Sequence, residues 1–139
     1  MSLVFWAGLA GANASSDKWL EKGDGQWKDG KTDLAIKSYD EADKADPTSL
    51  KVLMKKAGLL LSTQNFESAI RTYQRALGVD PKNAKAFIGM GIAYLHGGGY
   101  DLSRAAFEEA IRLEPERKAQ IAKVLDYLDE HMGQKYSAR

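Results

Sequence analysis

The three prolines of this 139-residue chain constrain its fold more than any other feature, because they are evenly spaced. Pro47, Pro81 and Pro115 lie 34 residues apart, and each follows an acidic residue. A fixed period of this length is typical of an array of similar helical units, each of which buries its apolar face against its neighbours. The residue before a proline disfavours helical backbone, so each of these acidic residues is predicted to end a helix.

Aligning the three units by their prolines places them at residues 16–49, 50–83 and 84–115. Position eight is then small in every unit, position twenty-four is aromatic and position twenty-seven is alanine. The residues are Gly23, Ala57 and Gly91 at position eight, Tyr39, Tyr73 and Phe107 at position twenty-four, and Ala42, Ala76 and Ala110 at position twenty-seven. Small residues let helices approach closely, and the aromatic residues fill the space between them. The pattern resembles three tetratricopeptide repeats.

This resemblance implies an all-α fold, an antiparallel helix-hairpin solenoid (an α–α superhelix) of three units and a capping helix. Helices are predicted near residues 16–29, 32–45, 49–62, 66–79, 83–96, 100–113 and 116–132. The domain is predicted to span residues 15–132, between an apolar segment at 1–14 and a polar tail at 133–139. The last helix carries an apolar stripe of helical period, formed by Ile121, Val124, Leu125, Leu128 and Met132, which would cover the exposed core of the third unit.

The resemblance also implies a function, that of a non-enzymatic adaptor that holds an apolar peptide or helix of a partner protein in a concave groove during complex assembly. The groove residues expected from the family's pattern are Leu20, Asp24, Trp27, Lys51, Met54, Lys55, Gly58, Leu61, Lys85, Ile88, Ile92, Leu95 and His96. Five of them would form an exposed apolar strip: Met54, Leu61, Ile88, Ile92 and Leu95. Such a strip usually marks an interaction site. Gly58 and Gly89 are predicted to leave room for a bulky ligand side chain.

Some members of the family grip the acidic carboxy-terminal tails of heat-shock chaperones with a clamp of lysine, asparagine and arginine side chains. The corresponding residues here are Leu20, Asp24, Lys55, Lys85 and Gly89. Lys85 alone matches that pattern, and the carboxylate of Asp24 would repel an acidic tail. The sequence therefore argues against this class of ligand.

Composition excludes other functions. A formal net charge of +1 gives no general attraction to nucleic acid. The chain has no cysteine and two histidines, His96 and His131, in separate elements, so no metal site is predicted. The triple glycine after His96 resembles an oxyanion loop, but its nucleophile motif is missing, and a turn between helices explains it. No catalytic residue and no cofactor is expected.

The amino-terminal segment, residues 1–14, leaves alternatives open. It is apolar and ends in the small-x-small pattern of Ala12, Asn13 and Ala14, yet no lysine or arginine precedes it. It could be the remnant of an export signal or membrane anchor, which would place the domain in a periplasm-like or membrane-associated compartment. It could equally be a docking segment of a cytoplasmic protein, with Phe5 and Trp6 anchored in its own groove or a neighbouring copy's. The second reading allows an alternative function, a structural module that forms homo-oligomers.

Overall fold

The computed structural model describes the backbone of residues 2–137 and the side chains of residues 13–133. This part of the chain contains seven α-helices and one 3-10 turn, and no strand. The helices are α1 (Ser2–Lys28), α2 (Thr32–Ala45), α3 (Leu50–Ser62), α4 (Phe66–Val79), α5 (Ala84–His96), α6 (Tyr100–Leu113) and α7 (Lys118–Ser137), with the 3-10 turn at Pro115–Arg117. They pack as consecutive pairs, α1 with α2, α3 with α4 and α5 with α6.

The predicted solenoid is confirmed, and the bounds of α2, α4 and α6 agree with the predicted ones. Two helices differ. α1 begins at Ser2 instead of near residue 16, because no proline or turn sequence separates the apolar segment from the first repeat. α7 begins at Lys118, since Pro115 starts a 3-10 turn before the helix, and it continues to Ser137, into the predicted tail.

The turns inside the three hairpins repeat the same backbone conformation. Gly30, Gln64 and Gly98, spaced 34 residues apart, all have positive φ angles of 75°, 63° and 78°. The links between hairpins are capped by side chains. The Ser49 hydroxyl accepts a hydrogen bond from the Val52 amide at 3.3 Å, and the Asn83 side chain accepts one from the Ala86 amide at 3.0 Å. These caps satisfy amides that have no partner inside the helix.

Position eight of a unit packs against position twenty-four, and this contact requires a small residue. A Cβ atom on Gly23 would lie 2.5 Å from the Tyr39 ring, and one on Gly91 would lie 2.9 Å from the Phe107 ring. Both distances are too short for real atoms. The alanines at position twenty-seven are completely buried, as expected where hairpins stack.

The core consists of three apolar clusters, arranged in the order of the repeats. The third is closed by α7, whose Ile121 and Leu128 are buried against Phe107 and Ala110. This confirms the capping role expected for the last helix. Over the part of the chain that the structure describes, no helix is both long enough and apolar enough to cross a membrane.

Candidate partner-binding face

The first helices of the three hairpins, α1, α3 and α5, carry the predicted groove residues. We call the surface that these helices form the inner face. α3 contacts α5 directly, so the face is continuous between the second and third repeats. Four of the predicted residues are exposed: Trp27, Lys51, Lys85 and His96. Eight are partly buried: Asp24, Met54, Lys55, Gly58, Leu61, Ile88, Ile92 and Leu95.

Leu20 does not belong to this surface. Its side chain is 2% exposed and lies in the core of the first repeat, in the cluster that contains Tyr39, Val52 and Leu59. Burial at position five differs between the repeats, since the equivalent residues of the second and third repeats, Met54 and Ile88, are only partly buried. The prediction that Leu20 contacts a ligand is therefore wrong.

The predicted apolar strip is less exposed than expected. Met54 and Leu61 pack against the central core cluster. Ile88, Ile92 and Leu95 pack against the cluster that α7 closes. Each of these five side chains therefore keeps part of its surface exposed while another part supports the core. An acidic substitution in the strip would weaken folding, because it would place a charge beside the core.

The two glycines of the inner face have different roles. A Cβ atom on Gly58 would meet no other atom within 4 Å, so the space beside this residue is open. Gly89 is buried, and a Cβ atom there would overlap the ring of Tyr73 from the preceding repeat. The prediction that Gly89 leaves room for a ligand is wrong, since Tyr73 already occupies that room.

An ion pair joins the first and second repeats across the inner face. The Asp24 carboxylate accepts a hydrogen bond from Lys55 Nζ at 2.6 Å through one oxygen and one from the Tyr39 hydroxyl at 2.6 Å through the other. Partial burial disfavours the charged carboxylate, but these two hydrogen bonds outweigh it and lower the pKa of Asp24. Burial, together with the bond to Asp24, raises the pKa of Tyr39. Asp24 is therefore ionised and the charge of Lys55 is neutralised at neutral pH.

A small cavity lies beside this ion pair. It has a volume of about 390 Å³ and is lined by Asp24, Trp27, Lys28 and Lys55. The Trp27 ring meets the Tyr39 ring edge-on, with 6.5 Å between centroids, yet it remains 38% exposed. Trp27 is the most exposed large apolar side chain among the described residues of the inner face.

Lys28 lines the cavity and occupies position thirteen of the first repeat, which the family's pattern also places on the groove. Tyr39, on the second helix of the hairpin, orients Asp24 and was not among the predicted residues. A signal for the ion pair exists in the sequence, because Asp24 and Lys55 occupy positions nine and six of neighbouring repeats and carry opposite charges. Tyr39 gave no such signal, since its position is explained fully by packing.

The predicted docking of Phe5 and Trp6 lies outside the residues whose side chains the structure describes, and it stays a prediction. Among the described residues, no group of three or more histidine, aspartate or glutamate side chains is placed to hold a metal ion.

These features define a solenoid of helix hairpins with a capped end and an open inner face. A sequence model of the tetratricopeptide repeat matches residues 20–84 and again residues 54–118. The chain belongs to the tetratricopeptide repeat family.

Relatives and solved structures agree with this assignment. Human FKBP4, a peptidyl-prolyl cis-trans isomerase, is 34% identical over 82 residues, which are 59% of this chain and 18% of that protein. Bovine FKBP4 is 29% identical over 76% of this chain and 26% of its own length. This chain therefore spans about a quarter or less of these two relatives.

Two solved domains are similar along almost their whole length. The Arabidopsis OM64 tetratricopeptide domain has a TM-score of 0.77 and 27% identity, covering 86% of this chain and 98% of that one. The second tetratricopeptide domain of human RPAP3, solved in complex with the HSP70 peptide SGPTIEEVD, has a TM-score of 0.75 and 27% identity, covering 86% and 97%.

Proposed function

We propose that the chain is a non-enzymatic scaffold that binds a segment of a partner protein on its inner face and so takes part in assembling a complex. The observation that carries this proposal is the open cavity beside Trp27, next to a row of partly exposed apolar side chains. A solved relative with the same fold, the second domain of RPAP3, binds a peptide of HSP70.

The partner segment differs from that acidic peptide. The chain resembles peptide-binding members of its family in fold, but Asp24 already occupies Lys55 with its own carboxylate. Gly89, at a position where the chaperone-binding members carry arginine, has no charge and is buried under Tyr73. The inner face therefore lacks the arrangement of cations that holds a terminal carboxylate, and apolar contacts supply the affinity.

Affinity capture from extracts of the source cell tests the proposal. The variant that blocks the inner face carries Ser62→Trp and Lys85→Trp, two exposed positions on α3 and α5. The control carries Gln74→Trp and Ala105→Trp, two exposed positions on the outer helices α4 and α6. Both variants place two tryptophans on the surface and add similar bulk.

We expect the wild type and the control to capture the same proteins and the inner-face variant to lose them. Capture of the same set by all three proteins would contradict the proposal. Light scattering of the wild type over a range of concentrations addresses the alternative, since oligomers that the inner-face variant fails to form would indicate self-association instead.

A further inference from the structure

Among the described residues, the inner face has a place beside the Asp24–Lys55 ion pair where a ligand side chain can enter without displacing any protein atom. The cavity beside the Asp24–Lys55 ion pair has a volume of about 390 Å³. This volume is near the lower end of the roughly 300–1,000 Å³ that is usual for ligand sites. The cavity is open to solvent, and its volume accommodates one large side chain.

A second open position lies close by on α3. Gly58 lies three residues after Lys55, which puts the two on the same face of the helix, and nothing lies within 4 Å of where its Cβ would be. Glycine inside a helix costs about 0.5–1 kcal/mol relative to alanine. Close packing does not explain this glycine, whereas it does explain Gly23, Gly89 and Gly91.

The wall of the cavity is aromatic and its floor carries no net charge. Trp27 presents its exposed ring to the cavity, and aromatic side chains favour edge-to-face or offset contacts with other rings. Asp24 and Lys55 neutralise each other at 2.6 Å, and Tyr39 saturates the second carboxylate oxygen. A cationic side chain entering here would find no free carboxylate, because Asp24 is already paired.

The side of the cavity formed by Lys28 and α3 is basic, whereas the exposed acidic residues Asp17 and Glu21 lie about one to two turns before Asp24 on α1. Lys28 lines the cavity and has no ion pair among those formed by the described residues. α3 and α5 contain lysines but no acidic residue, and the exposed Lys51 lies on the same face as Lys55. An acidic side chain next to the inserted one would find a complementary charge there.

From these observations we propose that the cavity lined by Trp27, Lys28 and the Asp24–Lys55 ion pair is a specificity subsite for an aromatic side chain flanked by acidic residues, within a partner's peptide segment. The inference rests on the proposed function of the inner face and adds the chemistry of the ligand. Trp27 stacks on the inserted ring, the absent side chain of Gly58 makes room for it, and Lys28 pairs with a flanking carboxylate. The acidic residue binds through its side chain, so the segment can be internal to the partner.

Titration with short peptides, followed by NMR of the isotope-labelled full chain, tests this subsite. The probe is N-acetyl-Glu-Phe-Glu-amide, and the controls are the same peptide with alanine in place of phenylalanine or with lysines in place of both glutamates. The Trp27 indole and the Gly58 amide are the reporters. We expect saturable shifts of both signals with the probe, and at least about tenfold weaker binding of either control peptide, a factor that corresponds to 1.4 kcal/mol.

Matched variants separate the contribution of the open space at Gly58 from that of the charge on Lys28. Gly58→Leu fills the space and should weaken binding of the probe at least about tenfold. Gly78→Leu is its control, because Gly78, on α4, is also a helical glycine with nothing within 4 Å of its Cβ position. The affinity of this control variant for the probe should stay within about twofold of that of the wild type. Lys28→Glu should reverse the preference between the glutamate and lysine peptides, and Lys37→Glu, an exposed site on α2, should not. Circular dichroism checks that each variant is folded. The test with Lys28→Glu remains valid even if Gly58→Leu unfolds.

The subsite is wrong if the probe gives no saturable shift, if the alanine peptide binds equally well, or if Gly58→Leu leaves the affinity unchanged. The proposed function can survive each of these results. If the peptides fail while Ser62→Trp with Lys85→Trp still abolishes partner capture, the inner face binds a partner through other contacts. If that variant also retains its partners, both proposals fall.

Discussion

Arg75 of the second repeat binds Asp43 of the first through two guanidinium nitrogens, at 2.6 and 2.7 Å from the two carboxylate oxygens. Lys56 Nζ completes the group at 2.8 Å from the same carboxylate. The Asp43 side chain is 10% exposed and that of Lys56 is 16% exposed. The first junction between repeats is therefore closed by nearly buried charges.

The second junction between repeats is closed by apolar residues instead of charged ones. Leu77 and Met90 stand 34 residues after Asp43 and Lys56 and belong to or pack against the central core cluster. The two junctions thus have equivalent geometry and different chemistry. This difference allows a direct comparison of charged and apolar packing inside one protein.

Removing one partner of the charged group should destabilise the fold, whereas replacing the pair should not. Asp43→Leu removes the more deeply buried of the two carboxylates that Lys56 contacts, leaving it only the more exposed Asp40, and should cost about 1–3 kcal/mol in the free energy of unfolding. Asp43→Leu combined with Lys56→Met copies the second junction and should restore stability to within about 1 kcal/mol of the wild type. Urea unfolding of the three proteins measures this. A double variant as unstable as the single one would contradict the equivalence of the junctions.

The charged junction also predicts acid sensitivity. Burial opposes ionisation of Asp43, but hydrogen bonds from Arg75 and Lys56 outweigh it and hold its pKa below the ordinary value of 3.8. A depressed pKa contributes stability above the unfolded value, and that stability is lost as the pH falls through the folded one. Between about pH 5 and pH 2, the wild type should therefore lose more unfolding free energy than the Asp43→Leu, Lys56→Met variant. Parallel slopes for the two proteins would show that Asp43 is not a source of the acid sensitivity.

A third prediction concerns the turn of the second hairpin. Gln64 has a φ of 63°, where the equivalent residues of the other hairpins are glycines. Left-handed backbone costs a non-glycine residue roughly 1–2 kcal/mol, while glycine loses more entropy on folding. Gln64→Gly should therefore raise the unfolding free energy by up to about 1 kcal/mol. Gln74→Gly, the same change at an exposed position inside α4, should lower it by about 0.5–1 kcal/mol.

The fold could be predicted from the sequence because the constraints repeat. The proline period places the ends of α2, α4 and α6, and the small residues at position eight show where the Tyr39 and Phe107 rings pack. The extent of α1 could not be predicted from the repeats, because the helix starts before the first unit.

The candidate site could be predicted only in outline. Position within a repeat places Trp27 and Gly58 on the inner face, but burial depends on what the neighbouring repeat supplies. Leu20 is covered by Val52 and Leu59 of the next repeat, and Gly89 by Tyr73 of the preceding one. Such contacts depend on side chains distant in sequence, so the repeat pattern alone does not reveal them.

The stacking of hairpins gives a fourth prediction. Ala76 is completely buried, so Ala76→Leu would overpack the contact and should cost about 1–3 kcal/mol. Ser62 is exposed at the end of α3, and Ser62→Leu should change the unfolding free energy by no more than about 0.5 kcal/mol. Thermal or urea unfolding of both variants provides the measurement. Equal destabilisation would contradict the assignment of position twenty-seven to the stacking contact.

The two glycines of the inner face should respond in opposite directions to the same substitution. Gly58→Ala adds a methyl group to open space and removes the helical penalty of glycine, so it should raise the unfolding free energy by about 0.5–1 kcal/mol. At Gly89 the added Cβ would lie 2.5 Å from atoms of the Tyr73 side chain. That side chain is 5% exposed and has little room to move. Gly89→Ala should therefore lower the unfolding free energy by about 1–3 kcal/mol despite its better helix propensity. Urea unfolding of the two alanine variants measures both changes. A gain of stability in both would show that Tyr73 of the second repeat does not pack tightly against Gly89 of the third.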